Sequence, residues 1–505
     1  MASEKTQILP PQRDHSSDQV VGWLFFKPLR GVRRWFLYLT AVAIFVPAYF
    51  YLGDELVRQT NLDVTTSDQL ANIILARQSA NDMFPHRSSY IQPLWPWVST
   101  LVLDKDDNAY FLRGRQLNLA IGCAATLLIF VLGAALVAPV PGYMMGLLAG
   151  CAVFLQRAHY FHPEPLLYSF FSVAALLMVL SLNRNRWWFH VGWGISFGLA
   201  YLSKASVGPL LAVYFGATVV LLLGRSGWLP TWLLRDRSTG SDWCVSRHLY
   251  GICLGLFFAA AIIAPNAIFK QRVHGDAFFS PTKYWMWCDD WDTEAYPLYE
   301  RVWTTSARAA FPPGDLPTMK NYLQKHGFAH AGRRLVDGME FMGGRFVLPA
   351  RKLVPAVFVL TQQGNTDRGE PDRIWRFVMP ARGLYLVLLG LLALFLWIDR
   401  RRNDVSSFFC QPSGLAACAF MVALALIYWF AFGWYAVIGR GERFSLMLYI
   451  PFLFALMTSG WLLSLAAPRT TPKIVFVAGI SVVLLHALIQ VLRLLALPQF
   501  SRALS

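Results

Sequence analysis

The chain has 505 residues, of which 56% are apolar, 15% aromatic and only 15% charged, and its mean hydropathy is +0.42. An ordinary soluble domain has about a quarter of its residues charged, so that class is excluded, as are disorder, collagen and a disulfide scaffold. The net charge of +16 fits Lys and Arg gathered on the cytoplasmic loops of a membrane protein, which leaves no role for nucleic acid as a partner.

Residues 1–34 are polar and close on the basic cluster Lys27, Arg30, Arg33 and Arg34, directly before the apolar run 35–53. That order predicts a cytoplasmic N-terminus and argues against a cleaved signal peptide. Further apolar runs occupy about 116–138, 142–158, 165–182, 187–203, 206–224, 249–269, 383–398, 412–432, 444–466 and 474–496. Segments of about this length cross a hydrocarbon core of ~30 Å, so the expected fold class is an all-α polytopic membrane protein of about 11 helices. Counted from the N-terminus, the joints 139–141, 183–186, 225–248, 399–404 and 468–473 should be cytoplasmic, and all but the first carry Arg or Lys. Ser203–Pro209 leaves an alternative open, in which 187–224 is one broken or re-entrant segment.

Two long segments then face outside, 54–112 and about 270–382, and connections of that length are seldom idle. The expected organisation is a tail (1–34), a transmembrane core (35–269) that includes the loop 54–112, an external segment (270–382) and C-terminal helices (383–505). No solenoid period or inverted repeat is visible. Six of the seven Cys lie in or beside apolar runs, leaving Cys288 alone in the external segment, so no disulfide framework is expected.

In the first external loop, Thr65-Thr66-Ser67-Asp68 supplies cap residues, and Leu70, Ile73 and Ile74 follow at helical spacing. The pattern predicts an amphipathic helix along the membrane surface with Asp68 in its first turn, where the helix dipole keeps a carboxylate ionised and able to accept a proton. An Asp in that position is equally a simple helix cap. Downstream come Phe84-Pro85-His86-Arg87 and Tyr90-Ile91-Gln92-Pro93-Leu94-Trp95-Pro96, then Arg113-Gly114-Arg115 at the mouth of the second span.

These residues resemble the first loop of the polyprenyl-phosphate-dependent GT-C glycosyltransferases, the group of protein O-mannosyltransferases and lipid A aminoarabinose transferases (family 39-like). The shared features are an Asp at the head of a surface helix, Ala76-Arg77 behind it, a Pro-Leu-x-Pro segment, and an Arg before the second span. The family's usual Asp-Glu pair is Asp68-Gln69 here, and its aromatic four residues later is Asn72. Phe161-His162-Pro163-Glu164-Pro165 occupies the place of the family's second acidic residue. Gly198-Leu199-Ala200-Tyr201-Leu202-Ser203-Lys204 is similar to its Gly-Leu-Ala-Phe-Leu-Thr-Lys. Gly439-Arg440-Gly441-Glu442-Arg443-Phe444 resembles its Arg-Tyr entry into a late span. The likeness covers roughly 20–225 plus this last motif.

The resemblance implies a GT-C-like bundle that transfers a sugar from a polyprenyl-phosphate donor to an acceptor outside the membrane, with inversion. Asp68 would take the acceptor's proton, and Glu164 would position acceptor or donor sugar. Lys204, Arg440 and Arg443, with Arg87 or Arg115, would hold the departing lipid phosphate, since cations must meet the charge that develops there. A Lys at a span end also snorkels to headgroups without further function. The partners implied are the lipid-linked donor, membrane lipids and a protein, lipid or glycan acceptor.

The aromatic and acidic run Tyr284-Trp285-Met286-Trp287-Cys288-Asp289-Asp290-Trp291-Asp292-Thr293-Glu294 suits sugar stacking, with Trp287 and Asp290, alongside Tyr90 and His162, as sugar- or acceptor-contacting candidates. It also reads as an interfacial aromatic belt. Its spacing lacks the Gly and terminal Glu of a calcium loop, and His159 and His162 have no third ligand at matching spacing. No metal or other cofactor is therefore expected. The competing functions are a secondary transporter, disfavoured by the scarcity of ionisable residues in mid-span, and a lipid-linked glycan polymerase or ligase, which would not need an acidic first loop.

Overall fold

The structure is a computed structural model, and it describes residues 24–27, 32–59, 61–65, 68–84, 91–229, 244–302, 305–312, 314–346, 390, 412–438, 443–466 and 470–495. The long helices are α1 (Val32–Gln59), α2 (Gln69–Ser79), α3 (Asp107–Leu136), α4 (Pro139–Ala149), α5 (Glu164–Asn183), α6 (Trp187–Ser203), α7 (Pro209–Arg225), α8 (Val245–His274), α9 (Met319–Phe346), α10 (Pro412–Tyr435), α11 (Arg443–Ala466) and α12 (Thr470–Leu495). Among the described residues there is no strand. Six of the helical segments are long and apolar enough to cross a membrane by length and composition, and the molecule is an all-α polytopic membrane protein. Ten of the eleven apolar runs lie on helices; the run 383–398 falls outside the described residues, position 390 apart.

Helix boundaries follow local chemistry more closely than hydropathy. α3 starts about nine residues before its apolar run, because the Asp106 carboxylate accepts from the backbone N–H groups of Asn108 and Ala109 and caps it. α4 opens with Pro139 in its first turn, where a missing N–H costs nothing. It then continues through a π turn (Gly150–Phe154) into Leu155–Ala158.

Contacts between helix termini divide the bundle into two ends. At the first, Arg115 of α3 donates to the Asn61 carbonyl just beyond α1, Lys204 after α6 meets Glu164 at the start of α5, and Asn266 and Lys270 near the end of α8 donate to Gln92. Here too Arg334 of α9 donates to the Trp434 carbonyl in the last turn of α10. At the far end, Asn185 donates to the Cys244 carbonyl and the His190 and His248 rings lie 5.2 Å apart. The break at Lys204–Gly208 therefore separates two helices, α6 and α7, and the single broken segment left open above is not what forms. The described parts of both long loops gather at the first end, the side that holds Asp68, Glu164 and Lys204.

α2 docks there through Ile73 and Ala76, in a cluster with Trp95, Tyr110 and Phe161. Burying Ile73 or Phe161 contributes about 2 kcal/mol each. Leu70 and Ile74 face away from the bundle and are exposed, while Gln69 and Asn72 turn inward with Ile73. Gln69 turns inward because Asn61, Asp63 and Phe161 meet its amide, while the Asn72 amide donates to the Asp68 carbonyl of its own helix.

Candidate functional site

Asp68 sits at the N-cap position of α2, one residue ahead of the first turn in which the pattern placed it, and its side chain makes no capping bond to the helix. The carboxylate is thus not used as a cap. The Asp68 carbonyl accepts the first intrahelical bond, from the Asn72 backbone N–H at 3.0 Å, and also accepts from the Asn72 side-chain amide at 2.7 Å. Arg77, at the other end of α2, donates to Asp107 in the first turn of α3 at 2.8 Å and fixes the helix against the bundle.

Gln69 connects this helix start to the loop before α5. Its Oε1 accepts from the Phe161 N–H at 2.9 Å and from Asn61 Nδ2 at 2.6 Å, and its Nε2 donates to the Asp63 carbonyl and to Asn61 Oδ1, both at 3.2 Å. Asn61 has φ 53°, a left-handed conformation that Asn tolerates better than most residues, and it also donates to the His159 carbonyl. Asn118 of α3 donates to the carbonyls of Tyr160 and His162 at 2.8 and 2.9 Å. A Cβ on Gly114 would lie 2.0 Å from the Phe161 ring, so glycine at that position lets the ring seat beside α3. Loop 159–163 is held from three sides, and Glu164 follows it immediately.

Glu164 is 1% exposed and lies in the first turn of α5, where the helix dipole favours its charge. Its Oε1 is 3.4 Å from Lys204 Nζ, and its Oε2 is 3.4 Å from His162 Nδ1. Lys204 occupies the extended residue between α6 and the turn Ala205–Val207, with its side chain 27% exposed, so the ammonium reaches from the buried carboxylate toward solvent. His162 is buried and faces Glu164. Arg115 is buried, donates to the Asn61 carbonyl at 3.0 Å and packs on the Phe111 ring at 4.2 Å, bracing the same loop. Arg87, Tyr90 and Arg440 lie outside the described residues; Arg443 begins α11, and its side chain is also outside them.

The acidic run 284–294 divides its tasks. Asp290 accepts from the N–H and hydroxyl of Thr293 and caps a short π turn, and Glu294 accepts from the Asp289 N–H. Trp287 packs against Trp434 with ring centroids 5.2 Å apart. Burial pushes the Cys288 thiol up to about 12, which keeps it protonated.

Asp289 faces α9, a contact that the sequence reading missed. Its Oδ1 accepts from the Tyr322 hydroxyl and from Arg334 Nη1, both at 2.8 Å, and its Oδ2 lies 3.1 Å from His330 Nε2 and 3.7 Å from His326 Nδ1. Burial alone would raise this carboxyl, but the Tyr322 hydrogen bond and the Arg334 charge hold it below the ordinary carboxylate range. The spacing of 322, 326, 330 and 334, four residues each, was the available signal. Also unforeseen is Lys270, 3% exposed and donating to Gln92 at 3.4 Å.

The four α9 side chains converge although Gly327, with φ 75° and ψ 165°, interrupts the helix. Only glycine adopts that backbone region readily, and forcing another residue into it costs about 1–3 kcal/mol. Nothing lies within 4 Å of an added Cβ, so the cost of Gly327→Ala is backbone strain alone. The variant is expected to be cleaved within 319–346 by a limiting protease at least ~5-fold faster than the parent, since 1 kcal/mol or more raises the opened population by about that factor. Equal cleavage rates would contradict it.

No protein-family model matches the sequence, and no curated protein matches it. Among solved structures, the chain is similar to the oligosaccharyltransferase of Archaeoglobus fulgidus. Against its complex with Zn and sulfate the TM-score is 0.47 at 14% identity, covering 91% of this chain and 52% of that one. The apo form gives 0.46 at 14% identity, with 92% and 55% covered. The form tethered by a disulfide to an acceptor peptide containing the NVT sequon gives 0.45 at 14%, with 92% and 54% covered. The chain thus spans about half the length of these structures.

Proposed function

We propose that this protein is a GT-C-type membrane glycosyltransferase that moves a sugar from a polyprenyl-phosphate donor to an acceptor on the external face. The observation that carries the reading is that Gln69, next to Asp68 at the head of α2, holds loop 159–163 through the Phe161 N–H, and that Glu164, which follows this loop, pairs with Lys204. A carboxylate, Asp68, and a buried carboxylate paired with an ammonium thus come to the same end of the bundle.

In the proposed reaction the acceptor's O–H or N–H gives its proton to Asp68 as its lone pair attacks the anomeric carbon. The carbon–oxygen bond to the lipid phosphate breaks, and the leaving phosphate keeps the electron pair. Lys204, with Arg440 and Arg443 of the late-span motif, meets that developing charge. A single displacement inverts the anomeric centre. The lipid-linked donor reaches the protein from the bilayer, which supplies the second substrate.

The test is sugar transfer in purified membranes, with polyprenyl-phosphate sugars supplied to the parent and to Asp68→Asn at equal abundance. Asn keeps the size of the side chain and removes the base. Transfer by the parent and a loss of at least ~100-fold in the variant are expected, the usual scale for a general base. Equal transfer by both would remove Asp68 from the mechanism, and no transfer by either with any donor would remove the glycosyltransferase reading.

A further inference from the structure

The convergence of two imidazoles on one oxygen of Asp289 serves no purpose in the glycosyltransfer proposed above, and no residue belongs both to this cluster and to the Glu164–Lys204 pair. Oδ1 of Asp289 is already occupied by Tyr322 and Arg334. That alone would anchor the loop to α9. Oδ2 nonetheless has His326 Nδ1 and His330 Nε2 gathered around it, and the three ligand atoms all lie within 4.8 Å of one another.

We propose that Asp289, His326 and His330 form a transition-metal site, with Zn2+ as the ion their chemistry fits best. Zn2+ binds imidazole nitrogen and carboxylate oxygen at about 2.0–2.2 Å in tetrahedral geometry, which places ligand atoms ~3.3 Å apart. The separations from Asp289 Oδ2, 3.1 Å to His330 and 3.7 Å to His326, bracket that value, and the two imidazole nitrogens lie within 4.8 Å of each other. Three protein ligands of mixed N and O type, with a fourth position for water, form a familiar zinc set, whereas Ca2+ and Mg2+ prefer all-oxygen shells. The donors on Oδ1 supply the outer hydrogen bonds that hold a ligating carboxylate in place. The His side chains are 23% and 41% exposed, which gives an ion a path in from water. The break at Gly327 sets the two imidazoles on separate helical pieces, and a bound ion would tie both pieces of α9 to the 286–290 loop.

The probe is the metal itself, added to the full-length protein in detergent after treatment with a chelator. Titration with ZnCl2 is followed by calorimetry, and titration with CoCl2 by the visible absorption of tetrahedral Co2+. The expected result is one equivalent per chain, together with a rise in the thermal unfolding midpoint. His326→Ala and His330→Ala should each weaken binding by at least ~100-fold, and Tyr322→Phe, an outer partner, by about 10-fold. If the alanine variants do not fold, His330→Gln, which keeps a hydrogen bond to Asp289 but is a poor ligand, gives the same reading. Absence of binding by the parent overturns the proposal. So does binding that survives both histidine substitutions, since the ion would then sit elsewhere, as at His162 and Glu164. Neither outcome bears on sugar transfer.

Discussion

Glu164→Gln is expected to lower sugar transfer at least ~100-fold, the scale seen when one preorganised charge is lost from an active site, while the protein still folds. The carboxylate is 1% exposed and its ordered partner ammonium is Lys204. Truncating one member of a fully buried pair costs about 3–5 kcal/mol because the other charge is stranded. Lys204 is 27% exposed, so without Glu164 its ammonium turns to water and much of that penalty is relieved. What is lost is the position of the ammonium. If Lys204 meets the leaving phosphate, as proposed above, the loss falls more on kcat than on KM, because the donor phosphodiester carries one negative charge when bound and gains a second as it departs. A double-mutant cycle with Lys204→Met separates positioning from an independent role: the double variant should transfer about as slowly as the slower single variant. Losses that simply multiply would show that Glu164 acts independently of Lys204, and parent-like transfer by Glu164→Gln would remove it from the site.

The all-helical membrane architecture was legible because hydropathy and helix length report the same physical fact, that the bundle is solvated by lipid. The pairing of Glu164 with Lys204 was half legible: each residue stood out as a charge at a span boundary, but only the antiparallel packing of α5 and α6 brings them together. The inward face of α2 was not legible for a related reason. Hydrophobic periodicity marks apolar side chains, and here a polar one, Gln69, is buried to hold the loop. The Asp289 cluster was least legible, since 33 to 45 residues separate the carboxylate from Tyr322 and Arg334, and composition marks α9 only as a polar helix. Its four-residue spacing acquires meaning once the fold sets a carboxylate opposite it.

Gln69→Glu is the informative substitution at the site's other wall, because it restores the acidic pair usual among the GT-C enzymes this loop resembles and should nevertheless damage this protein. Gln69 is 0% exposed and uses both ends of its amide, accepting from Phe161 and Asn61 through Oε1 and donating to Asp63 and Asn61 through Nε2. A carboxylate keeps the accepting half and sets its second oxygen against two acceptors, the Asp63 carbonyl and Asn61 Oδ1. Each buried group left without its donor costs about 1–3 kcal/mol, and more where charge is involved. Burial and facing acceptors both oppose ionisation, so the introduced acid titrates above its unfolded value. Stability relative to the parent is therefore retained at low pH, where the protonated acid donates to one of the two acceptors, and lost as pH rises through the folded value. Thermal unfolding of the purified variant should accordingly show a midpoint several degrees nearer the parent's at pH 5 than at pH 8. Gln69→Leu, which has neither donor nor proton, should be destabilised equally at both. A deficit for Gln69→Glu that does not change with pH would mean that the amide's donation to Asp63 and Asn61 does not hold this loop, and that the resemblance's acidic pair is absent here for some reason other than the network around Phe161.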